Sequence, residues 1–138
     1  MIEAAVRTRL LAVAGVSALV STRAYPVILP QVRDTTTELP AITIQRISEE
    51  RSGVFAGPSG IPGTLVQIDA WAMTYLGVKE LGKQIRFALD GYRGATGGTE
   101  GETVSAAILE QERDEYEPDT KYHRCSQDYR VWWLEPAS

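Results

Sequence analysis

The sequence has very few of the residues that form disulfides or metal clusters. Its 138 residues include one cysteine, Cys125, and one histidine, His123. A single cysteine cannot close an intramolecular disulfide, and one cysteine with one histidine is too few for a Cys/His metal cluster. The composition therefore suits a reducing cytoplasm, and we expect neither a metal nor another cofactor.

The chain also lacks a long hydrophobic run that is free of charge. The apolar N-terminal stretch, residues 2–20, carries Glu3, Arg7 and Arg9 in its first half. Its apolar side chains recur at helical spacing on one face: Ile2, Ala5, Val6, Leu10 and Val13. This pattern predicts an amphipathic helix, and we expect neither a signal peptide nor a membrane-spanning segment.

An excess of basic residues is missing as well. Lysine and arginine together number 14 against 18 acidic residues, so the net charge is −4. Stable DNA binding needs clustered lysine and arginine side chains. The acidic composition therefore argues against a nucleic-acid-binding groove. With 43% hydrophobic and 23% charged residues, the composition predicts one globular domain that spans residues 1–138.

The order of the predicted elements follows from apolar periodicity and from the positions of glycine and proline. We expect the first helix to end near Gly15, with one more turn possible before residue 20, and an extended or irregular connector over residues 24–40. The β-branched residues of 41–47 favour a strand. Glycines and prolines in residues 48–63 predict a long, flexible loop or a flexible hairpin.

Three further elements show clearer patterns. Residues 64–72 alternate between two faces and predict a strand. Thr74 can cap a helix that ends at the Asp90-Gly91 pair. The buried stripe that we expect for this helix is Tyr75, Val78, Leu81, Ile85, Ala88 and Leu89.

The last part of the chain predicts a long hairpin. One strand covers residues 103 to about 112, and the other covers residues 122–134, where adjacent Trp132 and Trp133 must face opposite sides. The fold class that we expect is α+β. It comprises an antiparallel (mixed) β-sheet of about four to five strands, with two main helices packed on one face.

Six short strings, taken in order, resemble the tail-completion, or tail-to-head joining, proteins of long-tailed bacteriophages. They are Arg23-Ala-Tyr-Pro26, Leu39-Pro-Ala-Ile-Thr-Ile-Gln-Arg-Ile47, Val66-Gln-Ile-Asp-Ala-Trp-Ala72, Ala88-Leu-Asp-Gly-Tyr-Arg-Gly94, Glu110-Gln-Glu-Arg-Asp-Glu-Tyr-Glu-Pro118 and Tyr129-Arg-Val-Trp-Trp133. Each string alone is an ordinary strand or turn pattern, but together they span nearly the whole chain.

The resemblance implies a structural virion protein of a phage or prophage and not an enzyme. It implies a homo-oligomeric ring, hexameric in form, at the head-proximal end of the tail tube. The partners would be further copies of the chain, the tail tube protein and the connector of the head, and assembly would take place in the host cytoplasm. No catalytic residues come with the resemblance, so candidate sites are interfaces.

Three carboxylates, Glu110, Glu112 and Asp114, are expected to share one strand face. In a ring they would line an acidic lumen that DNA passes through without specific binding, because like charges repel phosphate. The simpler interpretation is a solvated strand face. Neither a nucleophile nor a metal cluster accompanies them as a catalytic pair.

Other residues are candidates for contact with a neighbouring subunit or with the tube. The predicted loop holds Val54, Phe55 and Ile61, which either reach a partner or fold back onto the sheet. Trp132 is the tryptophan that strand parity directs away from the helices, and tryptophan is favoured at interfaces. Four arginines could form ion pairs between subunits or only pairs on the surface: Arg23, Arg46, Arg124 and Arg130.

Two alternatives stay open. A head-completion or tail-tube subunit would share the small size and the sheet-rich architecture. A small-molecule-binding domain would need a concave pocket with convergent polar groups. The pair of His123 and Cys125 could suggest a thiol nucleophile with its base. Packing is the better explanation, because the sequence offers no third group that would orient the histidine.

Overall fold

A computed structural model describes residues 2–26, 39–50, 63–96 and 102–134 of the chain. Within these ranges the helices are α1 (Ile2–Ala12), α2 (Ala14–Val20) and α3 (Tyr75–Leu89). The strands are β1 (Ala24–Pro26), β2 (Ala41–Glu50), β3 (Gly63–Ala72), β4 (Gly94–Ala95), β5 (Thr103–Glu117) and β6 (Tyr122–Leu134).

The strands form one mixed sheet in the order β1-β2-β3-β6-β5-β4. Strands β1 and β2 are parallel, and the other neighbouring pairs are antiparallel. The α+β class is confirmed, but the expected strand number is wrong, since the described residues contain six strands. Strands β1 and β4, with three and two residues, are too short to show alternation in the sequence.

Three helices are present in the described residues where two main ones were expected. Val13 separates α1 from α2, because its backbone is extended, with φ −91° and ψ 122°. The amide of Val16 then bonds to the carbonyl of Val13 and starts the second helix. The predicted extra turn near residue 20 is therefore a helix of its own.

The hydrophobic core lies between the helices and one face of the sheet, which we call the inner face. Strand β3 contributes Val66, Ile68 and Ala70 to this core, as its alternation predicts. The opposite, outer face carries the other set of side chains. Tyr75 is not part of the buried stripe of α3, because it is 51% exposed at the first turn of the helix.

Helix α3 begins and ends where the sequence predicts. The Thr74 hydroxyl accepts a hydrogen bond from the Gly77 amide at 3.0 Å, which satisfies one free donor of the first turn. At the other end Gly91 adopts a φ of 80°, which glycine tolerates better than other residues. Gly82 lets the helix approach the sheet, since an added Cβ would lie 3.1 Å from Cys125 Sγ.

The strands before and after the predicted loops are longer than expected. Strand β2 passes a bulge between Arg46 and Ser48 and continues to Glu50, so the connection to β3 covers only residues 51–62. Strand β5 continues beyond the expected end near residue 112 and reaches Glu117. Its charged continuation is held by cross-strand pairs such as Arg113 with Asp128, at 3.3 Å.

Candidate interface surfaces

The outer face of the sheet carries the residues that strand parity directs away from the helices. On strand β6 these are Arg124, Ser126, Asp128, Arg130 and Trp132, as expected. Antiparallel sheets can leave one face without a covering layer of helices. The exposed part of the outer face is therefore the first candidate surface for contact with a neighbour.

The two adjacent tryptophans have different environments, as strand parity predicts. Trp133 is 3% exposed on the inner face, and its Nε1 donates to Thr64 Oγ1 at 2.8 Å. Trp132 is half-buried on the outer face and lies over Gly63, where an added Cβ would lie 3.2 Å from its Nε1. Its remaining exposed surface is available to a partner.

Apolar side chains accompany Trp132 at this end of the outer face. Ile108 is 48% exposed and lies opposite Arg130 in the ladder of β5 with β6. On the other side of Arg130 lies Leu65, which is half-buried. Together with Trp132, these side chains form an apolar patch around one guanidinium.

The arginines of the outer face bind carboxylates of their own chain. Arg124 contacts Glu115 closely, and its Nη1 lies 3.6 Å from Glu117. Arg130 Nε lies 3.5 Å from Glu110 Oε2. The pairs are partly solvated, so each contributes about 0–1 kcal/mol to the stability of the subunit. An ion pair between subunits would have to replace these contacts or extend them.

The other two candidate arginines lie elsewhere. Arg23 donates from Nε to the Pro40 carbonyl at 2.9 Å and from Nη2 to the Leu19 carbonyl at 3.2 Å. These bonds hold the connector after α2 against the start of β2. Arg46 is exposed beside the β2 bulge. The loop candidates Val54, Phe55 and Ile61 lie outside the described residues.

The expectation that Glu110, Glu112 and Asp114 share one strand face is wrong. A bulge between Leu109 and Gln111 leaves Glu110 without a partner in the ladder and shifts the alternation of side chains. Glu110 therefore lies on the outer face beside Arg130, whereas Glu112 and Asp114 lie on the inner face.

Both inner-face carboxylates are bound by cations of helix α3. Arg86 Nη1 lies 2.6 Å from Glu112, and Lys79 Nζ lies 3.1 Å from Asp114. The carboxylate of Asp114 raises the pKa of Lys79 by hydrogen bonding and by its charge. These pairs join helix α3 to strand β5, and an acidic lumen stays a prediction.

A buried polar cluster on the outer face was missed by the sequence interpretation. Asp69 accepts hydrogen bonds from Ser126 Oγ at 2.6 Å and from Gln67 Nε2 at 3.0 Å. Beside it, Trp71 Nε1 donates to Thr43 Oγ1 at 2.9 Å. The alternation of residues 64–72 placed Gln67, Asp69 and Trp71 on one face, but the burial of Asp69 and Trp71 depends on strands that are distant in sequence.

Cys125 is a buried thiol and not a nucleophile. Burial raises the pKa of Cys125 to about 12, and the hydrogen bond to Glu112 at 3.1 Å acts in the same direction. The thiolate that a nucleophile requires is therefore scarce near neutral pH. His123 shares the inner face, as expected, and its ring lies 4.9 Å from that of Tyr116.

A second apolar surface, also missed from the sequence, surrounds the start of helix α3. Met73 is 57% exposed, Leu76 is 80% exposed, and Tyr75 and Tyr116 are each 51% exposed. The ring of His123 connects the two tyrosines, at 6.1 Å from Tyr75 and 4.9 Å from Tyr116. The signal in the sequence was the run Met73-Thr-Tyr-Leu76, which places apolar residues at a helix start.

A pocket of about 190 Å³ lies between helix α1 and the start of the sheet. Its described lining consists of Glu3, Ala4, Arg7, Tyr25, Pro26 and Ile44. The Glu3 carboxylate has one oxygen, Oε1, that is buried without a hydrogen-bond partner. This pocket had no counterpart in the sequence interpretation.

The described parts of the chain lack two further features, a metal-binding cluster and a membrane-spanning helix. Residues 2–26, 39–50, 63–96 and 102–134 contain no group of three or more His, Cys, Asp or Glu side chains that could hold a metal. Among the same residues, no helix has the length and the apolar character needed to cross a membrane.

Comparisons with known proteins concern the fold and the family of the chain. Over 96% of its length the chain resembles a protein in a solved structure titled "Virion of native gene transfer agent (GTA) particle", with a TM-score of 0.65 and 93% of that protein covered. The two sequences are 16% identical, so this likeness concerns the fold. No curated protein sequence matches the chain. The family described as "Tail completion protein gp17" matches residues 4–134, and the chain therefore belongs to this family of structural proteins of the phage tail.

Proposed function

We propose that the chain forms a homohexameric ring at the head-proximal end of a phage tail tube, ends the growth of the tube and joins the tail to the head. The observation that carries this proposal is the family match, which covers residues 4–134. This range includes every described helix and strand except the first two residues of helix α1. The protein acts by binding, without a catalytic step.

The ring would act by geometry. One side matches the last layer of tube subunits and removes the surface to which another layer could add, and the other side docks to the connector of the head. Identical neighbours must meet through two different surfaces, and the rotation between them must close. Without closure, the same contact would produce an open filament.

Surface features support a role in assembly. The outer patch of Trp132, Leu65 and Ile108 and the apolar surface at the start of α3 lie on opposite faces of the sheet. Exposed patches that contain aromatic residues are typical of protein–protein interfaces. A subunit with two distinct patches is suited to a ring, where each copy has two neighbours.

The mass of the purified protein tests the proposal. Light scattering behind a sizing column is measured for the protein alone and after mixing with tail tubes that lack their head-proximal cap. A discrete ring mass, or binding confined to one end of the tube, is expected. Unlimited growth into tubes would instead identify a tail-tube subunit. A monomer at every concentration that also ignores tube ends would contradict the proposal.

A further inference from the structure

Helix α3 has an exposed face on the side opposite to its buried residues. Leu76, at 80%, and Phe87, at 69%, are the most exposed large hydrophobic side chains among the described residues. Glu80 and Lys83 lie between them and are exposed as well. We call these four residues the α3 seam. Apolar side chains that share one exposed face are a candidate contact surface.

The spacing of the α3 seam is typical of a helix that packs along another helix. Its members follow one another at intervals of four, three and four residues, as the a and d positions of a heptad do. Side chains at these intervals line up on one side of the helix, over about 16 Å of its axis. The surface that they form is therefore suited to a second helix.

The order of the residues in the seam selects a second copy of the same helix. Leu76 and Phe87 lie equally far from the middle of the seam, and so do Glu80 and Lys83. If two copies of α3 pack antiparallel about a two-fold axis through this point, Leu76 meets the partner's Phe87. In the same arrangement Glu80 meets the partner's Lys83. Apolar side chains then contact apolar ones and each charge meets its opposite, so the seam is complementary to itself.

The two charges of the seam are not used for ion pairs within their own chain. Among the described residues Lys83 has no carboxylate within ion-pair distance, and its ammonium lies 5.7 Å from the centre of the Phe87 ring. Glu80 accepts a hydrogen bond from the Gln84 side chain at 3.0 Å but contacts no cation in the same part of the chain. The two other cations of the helix, by contrast, already bind carboxylates of strand β5. Glu80 and Lys83 are therefore available to a partner.

We propose that two copies of the chain pair through the α3 seam, with their helices antiparallel about a two-fold axis. Each Leu76 packs against the partner's Phe87, and each Glu80 forms an ion pair with the partner's Lys83. Four side chains from each copy make a contact smaller than a standard interface of about 1,600 Å², so the pair is weak and depends on protein concentration.

This contact goes beyond the proposed ring. A two-fold contact uses the same surface on both copies, whereas neighbours in a ring meet through two different surfaces. The α3 seam therefore cannot link the neighbours of a ring. Free subunits pair through it as dimers, and two rings that meet through it form a double ring. Because α3 packs on the inner face of the sheet, this pairing leaves the outer face to other contacts.

Reversal of the two charges tests the pairing without a change in the core. Glu80→Lys gives the seam two positive charges, and Lys83→Glu gives it two negative charges. Each single variant places like charges opposite each other, so its dissociation constant should be at least about tenfold higher than that of the wild type. The double variant, which carries both reversals, restores both attractions and should pair like the wild type.

An equimolar mixture of the two single variants gives a sharper test. Unlike copies bring opposite charges together at both positions, so a one-to-one dimer should form where each variant alone is monomeric. Each reversal changes the net charge of −4 by two, to −2 or −6, so net charge alone would not attract the two variants. Sedimentation equilibrium at low salt, from about 10 µM to about 1 mM protein, measures the association.

Phe87→Ser tests the apolar ends of the seam. It removes the ring from both contacts with Leu76, so the dissociation constant should again rise at least about tenfold. Ile47→Ser is the matched control, because Ile47 is an exposed apolar residue of strand β2 outside the seam, and this variant should pair like the wild type. Leu76 is left unchanged, since it also belongs to the apolar surface at the start of α3. Circular dichroism and urea midpoints confirm that the variants fold.

The outcomes separate this inference from the proposed function. The inference is overturned if the wild type remains a monomer or a single ring up to about 1 mM, or if the charge variants pair as well as the wild type. A mixture of the single variants that does not associate overturns it too, whatever happens at tube ends. If pairing follows the charges but the protein neither forms a ring nor binds tube ends, the proposed function is overturned and the inference stands.

Discussion

Arg86 Nη1 lies 2.6 Å from Glu112 Oε1, and this contact joins the last turn of helix α3 to strand β5. The same oxygen accepts a hydrogen bond from the Cys125 thiol at 3.1 Å and lies 3.5 Å from Gln127 Nε2. One carboxylate thus connects the helix with both strands of the long hairpin. The side chains are 33% and 25% exposed, so the pair is more shielded than an ordinary surface pair.

Replacing Glu112 with glutamine should destabilise the fold by about 1–3 kcal/mol, since hydrogen bonds to a charged group are lost. The measurement is urea unfolding followed by circular dichroism. Asp114→Asn is the matched control, because its pair with Lys79 is 36–39% exposed. We expect this control to change stability by less than about 1 kcal/mol. Equal losses in both variants would contradict the special role of Glu112.

Cys125 should resist thiol reagents in the folded protein. With its pKa raised to about 12, only about one molecule in ten thousand carries a thiolate at pH 8, and the sulfur is buried besides. Labelling by an aromatic disulfide reagent should be at least about a hundredfold slower than in 8 M urea (roughly the concentration that unfolds most domains). Fast labelling of folded protein would show that the sulfur is accessible.

Glu115 should make a small contribution to stability that depends on pH. The hydrogen bond from Arg124 lowers the pKa of Glu115 below its usual 4.5 in the folded state. The contribution is therefore complete above the unfolded-state pKa and is lost as the pH falls through the lower, folded-state pKa. Urea midpoints measured from pH 6 down to acid should fall less in Glu115→Gln than in the wild type.

High salt provides the control for this prediction. The Glu115 side chain is 38% exposed, so solvent and ions screen its pairs with Arg124 and Arg113. In about 1 M salt, where the Debye length is near 3 Å, the difference between wild type and variant should shrink. A difference that is unaffected by salt would point to packing and not to charge.

Trp132 and Trp133 should respond differently to truncation. Trp133→Ala removes a buried ring and leaves Thr64 without its donor, so we expect a loss of about 3–5 kcal/mol in unfolding free energy. Trp132→Ala should cost the subunit less than about 2 kcal/mol, because part of its side chain is exposed. If Trp132 belongs to an interface, its replacement should weaken assembly while the urea midpoint changes little.

The elements that the sequence predicted well are those determined by their own residues. Helix α3 begins after the Thr74 cap and ends at Asp90 because both signals act within one turn. The two faces of β3 follow from strict alternation, and the opposite environments of Trp132 and Trp133 follow from strand geometry. In each case the residues of the element itself were sufficient to predict its structure.

The interpretation was wrong where distant strands decide the outcome. Residues 113–117 are too charged to predict a strand, and they are one because Arg113 and Arg124 pair with carboxylates across the hairpin. The bulge at Glu110 depends on the register with β6, which no local pattern encodes. For the same reason the acidic residues were assigned to one face when they lie on two.

Among the candidate interface residues, parity alone predicted the outer position of Trp132, Arg124 and Arg130. The pocket beside Glu3 and the exposed position of Tyr116 could not be predicted. Both depend on which helix or strand packs nearby, and the first helix shows only that one of its faces is apolar. Exposure at the start of α3 reflects the absence of a covering element among the described residues.

The two bulges of β5 define where this strand can change in length. Ser105 and Glu110 are the residues without partners in the ladder, so removing either one leaves the residues on both sides on their present faces. Deleting Arg113 instead would turn the following side chains over and move Asp114 away from Lys79. Relatives that are one residue shorter in this strand should therefore have their gap at position 105 or 110. An alignment of such relatives would locate the bulges without any further structure.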